Sequence, residues 1–96
     1  MVEAKTMKAV DRRLARLEGQ IGGLRRMVAE DRYCIDILTQ LAAARSALDQ
    51  VGAELAASHV QTCMLGHKET PHEATRGMSE EDLVEELRET LSRLMR

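Results

Sequence analysis

Phenylalanine and tryptophan are missing from this chain, and Tyr33 is its single tyrosine. An aliphatic core alone is thin for 96 residues, so burial against further copies of the chain is expected. Proline occurs once, at Pro71, and strand signals are absent. With 31% charged residues and abundant Ala, Leu, Arg and Glu, the composition points to an all-α protein. No apolar run approaches the ~20 residues that a membrane span needs, and the amino terminus lacks the apolar stretch of a signal peptide. A cytosolic protein with no membrane partner is expected. The two cysteines, in a reducing cytosol, read as thiolates with a chemical task or as plain core residues rather than as a disulfide. Catalysis is not expected, because Cys-x-x-Cys, a glycine-rich phosphate loop and a compact acid-base cluster are all lacking.

The net charge is -2, which by itself argues against nucleic acid as a partner, but the charges are unevenly spread. Between Met1 and Met27, Lys5, Lys8, Arg12, Arg13, Arg16, Arg25 and Arg26 face only Glu3, Asp11 and Glu18. Acids dominate from Gly66 onward.

The apolar positions Val10, Leu14, Leu17, Ile21, Leu24 and Val28 alternate spacings of four and three, the period of a helix with one buried seam. They define a first helix over about 6–30, weakened by Gly19, Gly22 and Gly23, which would let a neighbouring helix approach closely. Asp31 is placed to cap a second helix over about 32–65, carrying Cys34, Ile37, Leu38, Leu41, Leu48, Val51 and Leu55 at helical spacing. Its small residues Ala42, Ala43, Ala44 and Ala47 permit close packing. Gly66 reads as its stop, and 66–78, with Pro71, as a loop. Ser79 caps a third helix over about 79–95, with Glu80, Glu81 and Asp82 in the first turn and a stripe of Leu83, Leu87, Leu91 and Leu94. Residues 1–96 read as one domain.

Cys34 stands near the start of the second helix, and His59 and Cys63 near its end. At ~1.5 Å per residue, Cys34 and His59 lie roughly 37 Å apart, so one molecule cannot bring the three side chains together. Either they are unrelated, Cys34 serving as a small hydrophobe, or a second, antiparallel copy brings its own Cys34 to the His59 and Cys63 of the first. His59 and Cys63, at i and i+4, share a helical face. Two thiolates and one imidazole make a soft set that suits Cu(I). Structural zinc wants a fourth ligand, which His67 or His72 could supply, although loop histidines are commonly just solvated.

The segments Arg13-Leu14-Ala15-Arg16-Leu17-Glu18-Gly19-Gln20, Glu30-Asp31-Arg32-Tyr33-Cys34-Ile35-Asp36-Ile37-Leu38-Thr39-Gln40 and His59-Val60-Gln61-Thr62-Cys63 resemble the CsoR/RcnR family of metal-responsive repressors. The resemblance covers nearly the whole chain. It implies a three-helix protomer, an antiparallel dimer of long second helices, and a tetrameric dimer of dimers that binds operator DNA without a helix-turn-helix. The order Cys, His, Cys is that of the copper-sensing branch. The nickel and cobalt branch uses a histidine near the amino terminus and another in the last position, and this chain has no histidine before His59. The resemblance therefore implies Cu(I) bound by Cys34, His59 and Cys63 across the dimer interface, with release of DNA. Tyr33 and Glu86 match family residues that hydrogen-bond the histidine nitrogen facing away from copper, an arrangement that fixes the ring tautomer. A long loop from Gly66 to Gly77 allows this register to slip to Glu85, and a solvated acid is the plain alternative for either.

On the first helix, Arg12 and Arg16 are four apart with Arg13 beside them, a patch that a tetramer repeats into a phosphate-binding surface. Arg13 matches a family position implicated in DNA contact, whereas Lys8, Arg12, Arg16, Arg25 and Arg45 are inferred from charge. Gly22 and Gln50 stand where relatives commonly carry basic residues, which weakens or shifts the footprint. The expected function is a Cu(I)-sensing repressor. Its alternatives are a persulfide-sensing repressor of the same fold, using Cys34 and Cys63, and a helical assembly module with no regulatory task.

Overall fold

The structure, a computed structural model, describes residues 3–65 and 73–96. The expected stop Gly66 and the loop residues His67, Pro71 and His72 lie outside the described residues. Three α-helices and no strand occur among the described residues: α1 is Ala4–Ala29, α2 is Cys34–His59 and α3 is Glu80–Leu94. A π turn, Val60–Met64, continues α2, and a short 3-10 turn, Glu73–Thr75, precedes α3. The all-α expectation holds. The chain divides into two compact units, one running from Ala4 to Glu54 and the other comprising the residues before Ala4 and those from Leu55 onward.

The first unit is a helical hairpin. Asp31 does not cap α2 as expected but ends α1: its φ is 53°, its N–H donates to the Val28 carbonyl (3.1 Å), and the Arg32 N–H reaches back to Met27 (2.9 Å). That pair of bonds is a Schellman closure, usually built on glycine. Aspartate takes the left-handed position because its short polar side chain tolerates it better than most. The first carbonyl of α2 is then that of Tyr33, which accepts from the N–H groups of Asp36 and Ile37. Asp36 lies in the first turn, where its charge complements the positive end of the helix.

Packing inside the hairpin buries Val10 and Leu17 of α1 and Ala44 and Val51 of α2. Only half of the expected α1 seam is covered. Leu14, Ile21 and Val28 remain 40%, 50% and 65% exposed, because a single partner helix shields one flank of a seam that winds over two. On α2, Leu38, Leu41 and Leu48 are likewise exposed. Burying a leucine or valine is worth about 1.5–3 kcal/mol, so each helix keeps an apolar row that further copies could use. Among the described residues, the glycines of α1 do not admit a neighbouring helix. A Cβ at Gly19 would meet nothing within 4 Å, and at Gly22 and Gly23 only the Arg26 side chain.

In the second unit, helical structure runs to about the expected end, but the register changes at Val60. The Leu65 N–H bonds to the Val60 carbonyl (2.8 Å), five residues back. Nearby, the Thr62 hydroxyl donates to the Ser58 carbonyl (2.9 Å), a back-bond that bends helices. Before α3, Gly77 has φ 80° in a turn closed by the Met78 N–H on Thr75, a conformation that favours glycine. Ser79 caps α3 in a reciprocal box with Asp82, worth about 1 kcal/mol. Of the expected stripe, Leu83 is buried, Leu87 and Leu91 are half-buried, and Leu94 is exposed.

Candidate metal ligands and basic face

Cys34 is the first residue of α2 and His59 its last. The Cys34 thiol is exposed at a helix start, and that of Cys63 is buried inside the π turn. His59, half-buried, caps that turn, so the imidazole and the second thiol come from successive turns. A π turn inside a helix is frequently found at functional positions, since the extra residue re-aims the side chains after it. Among the described residues, no three His, Cys, Asp or Glu side chains come together. One copy of the chain therefore offers two partial donor sets, a thiol at one end of α2 and an imidazole with a thiol at the other. Their chemistry fits a soft ion.

Thr62 is the environment of Cys63 that sequence reading overlooked. It is 1% exposed, and its Oγ1 lies 3.7 Å from Cys63 Sγ. Position alone, next to a candidate ligand, was the available signal. Ser58 is also buried, and its hydroxyl has no partner among the described residues.

Tyr33 is 69% exposed at the mouth of α2. On α3, the Glu85 carboxylate is taken by the Arg88 guanidinium, including a bond of 3.0 Å from Nε, which holds the Glu85 carboxyl below its usual range and raises that of Arg88. Glu86 is exposed, and its backbone carbonyl accepts from the Thr90 hydroxyl. With Glu85 engaged, Glu86 is the freer of the two acids.

Lys8, Arg12 and Arg16 recur every fourth residue along one exposed row of α1. Arg12, Arg13 and Arg16 line a shallow groove of about 390 Å³ together with Gln20, Ala47 and Gln50. Arg13 differs from its neighbours. It donates through Nη1 to Gln50 Oε1 (2.8 Å) and pairs through Nη2 with Glu54 Oε1 (3.0 Å). Arg25 is exposed near the far end of α1. Arg45 is exposed too, but at helical spacing it stands between Leu41 and Leu48 in the uncovered apolar row of α2, away from the α1 arginines. The partners of Arg13 were missed in the sequence, although Arg13 and Gln50 are equidistant from the turn at Asp31 and Arg32 and so must face one another in a hairpin.

Residues 6–93 match the family model described as metal-sensitive transcriptional repressor. Among curated relatives, the copper-sensing transcriptional repressor RicR of Mycobacterium tuberculosis is 49% identical over 53 residues, 55% of this chain and 55% of the relative. The copper-sensing transcriptional repressor CsoR of Bacillus subtilis is 39% identical over 61 residues, 64% of this chain and 60% of the relative. The chain thus spans little more than half the length of these curated relatives. Among solved structures, the copper-sensing repressor CsoR with Cu(I) from Geobacillus thermodenitrificans superimposes with a TM-score of 0.79 at 34% identity, covering 98% of this chain and 91% of that one. The nickel-responsive transcriptional regulator InrS gives 0.69 at 33% identity, covering 97% and 94%.

Proposed function

Because the chain belongs to the family of metal-sensitive transcriptional repressors, we propose that it senses Cu(I), binding operator DNA without the metal and leaving it when the metal is bound. Members of this family are repressors, not enzymes. The observation that carries the reading is the division of soft donors between the two ends of α2, Cys34 at one and His59 with Cys63 at the other. An antiparallel second copy completes the set twice over, once at each end. The exposed rows on α1 and α2 supply the apolar surface for such a homodimer and for its assembly into a tetramer.

Copper is favoured over nickel by the donors themselves. Two thiols and one imidazole are soft, and no histidine precedes His59 to supply a further nitrogen ligand. Tyr33 and Glu86 are the residues that would orient the His59 ring, and Lys8, Arg12, Arg13, Arg16 and Arg25 those that would meet DNA phosphate, in the cytosol. No described helix is long and apolar enough to cross a membrane. The effect of the metal on DNA requires that it bind the two assembly shapes with different affinity, since a ligand with equal affinity for both shifts nothing.

The two free thiols keep a persulfide signal as the second reading. Binding to the DNA upstream of its own gene, with a copper chelator and then with stoichiometric Cu(I), tests the first. Affinity should fall on metal addition, and equal affinity in both states eliminates copper sensing. A His59→Ala protein that ignores copper yet still responds to persulfide would favour the second.

A further inference from the structure

The arginines of the α1 groove are not equivalent. Arg12 and Arg16 carry no ion pair among the described residues, whereas Arg13 is clamped by Gln50 and Glu54, one turn apart on α2. The clamp is accessible, since the side chains of Arg13 and Glu54 are 39% and 33% exposed. It is also incomplete. Glu54 holds Arg13 through Oε1 alone, while its Oε2 is buried with no partner.

We propose that Glu54 is an internal competitor for nucleic-acid phosphate, holding Arg13 back so that DNA must displace a carboxylate to use it. The inference rests on the DNA-binding reading given above and specifies how that face is regulated. A backbone phosphate offers Arg13 the same charge as Glu54 but with both of its non-bridging oxygens open, and a guanidinium fork takes two at once. Displacing Glu54 leaves a half-buried carboxylate without its cation, and that penalty offsets part of the new contact. The freed carboxylate also takes up a salt cation as DNA releases one. Glu54 therefore lowers both the affinity and the salt dependence of binding, and tempers a face whose charge would otherwise hold DNA without regard to sequence. An amide at this position keeps an acceptor for Arg13 and removes the competing charge.

The test is fluorescence anisotropy of a mixed-sequence 30-base-pair duplex, titrated over a salt series with a copper chelator present. Glu54→Gln should bind roughly two- to fivefold more tightly per Arg13 engaged. Its plot of log affinity against log salt should be steeper by up to ~0.9 for each such contact. Both gains should vanish in the Arg13→Gln, Glu54→Gln double variant. Should Glu54→Gln lose helical signal, Glu54→Asp decides, because its shorter arm loosens the clamp and shifts both quantities in the same direction by less. Equal or weaker binding by the folded variant, or a gain that survives loss of Arg13, overturns the inference and leaves the DNA reading standing. A wild-type chain with no salt-dependent affinity for any duplex, its own upstream DNA included, overturns both.

Discussion

The hydroxyl of Thr62 donates to the carbonyl oxygen of Ser58 across 2.9 Å, which commits its one proton. The same hydroxyl lies 3.7 Å from Cys63 Sγ, a weaker second contact beside its bond to the backbone. The two bonds tie a candidate ligand to the backbone at the point where α2 changes register. Thr62→Val keeps the shape and deletes the hydroxyl. It should destabilise the protein by about 1 kcal/mol, the usual net value of a buried hydrogen bond, seen as a lower urea midpoint at unchanged slope. Thr62→Ser should lose less. An unaltered midpoint in the valine variant would mean that the hydroxyl is idle.

On α3, Glu85 and Arg88 make a pH-dependent contribution whose sign is fixed by the guanidinium. Hydrogen bonds from Arg88 hold the Glu85 carboxyl below its usual range in the folded state. A carboxyl depressed on folding adds stability above its unfolded value of about 4.3, and that stability is lost as pH falls through the lower folded value. Both side chains are more than half exposed, so the effect is small and screened by salt. Thermal melts of Glu85→Gln should fall less steeply below about pH 4.3 than those of the wild type, and the difference should shrink in 0.5 M salt, about three times the physiological strength. Parallel acid limbs would show that the pair contributes nothing to folding.

The helices were legible because apolar spacing reports a helical face wherever the chain is amphipathic, and the Ser79 and Asp82 box is a local signal complete within four residues. Asp31 was misread because an aspartate between two helices suits the end of one as well as the start of the next. Only the backbone bonds of Asp31 and Arg32 decide between them. The periodicity from Val10 to Val28 could not reveal which half of the seam is covered, since coverage depends on how many helices surround it. The π turn escaped for another reason. It accompanies a hydroxyl-to-carbonyl bond at Thr62, which no spacing rule registers. Counting charges treated Arg13 as a free cation, whereas its neighbours come from tertiary structure. At the candidate metal site, the division of donors between the two ends of α2 followed from the rise of a helix alone.

Gly19 lies within α1, and a Cβ there would meet nothing within 4 Å among the described residues beyond the local helix backbone. Alanine there fits without displacement and removes backbone freedom from the unfolded chain. Gly19→Ala should therefore stabilise the protein by about 0.5–1 kcal/mol. That corresponds to a rise in melting temperature of roughly 4 °C for a domain of this size. A fall instead, accompanied by a smaller assembly in sedimentation, would assign the glycine to a close approach between copies of the chain.

If the copper site is shared between copies, two damaged proteins must repair one another. Cys34→Ser and Cys63→Ser homodimers each lack one thiol at both sites, so each should bind Cu(I) weakly. Mixing them under conditions that exchange protomers changes the count at each end of the dimer. In a mixed dimer, the intact Cys34 of one copy meets the intact His59 and Cys63 of the other, while the opposite end carries both lesions. Random exchange makes about half the dimers mixed, and each regains one site of two, so about a quarter of the wild-type high-affinity capacity should return. Competition against a Cu(I) chelator of known affinity reads this directly. A site within one chain gives no such recovery, because neither protein ever contains the complete set. Recovery of the quarter should also require exchange, and a disulfide-locked or cross-linked preparation of each homodimer, mixed in the same ratio, should stay weak.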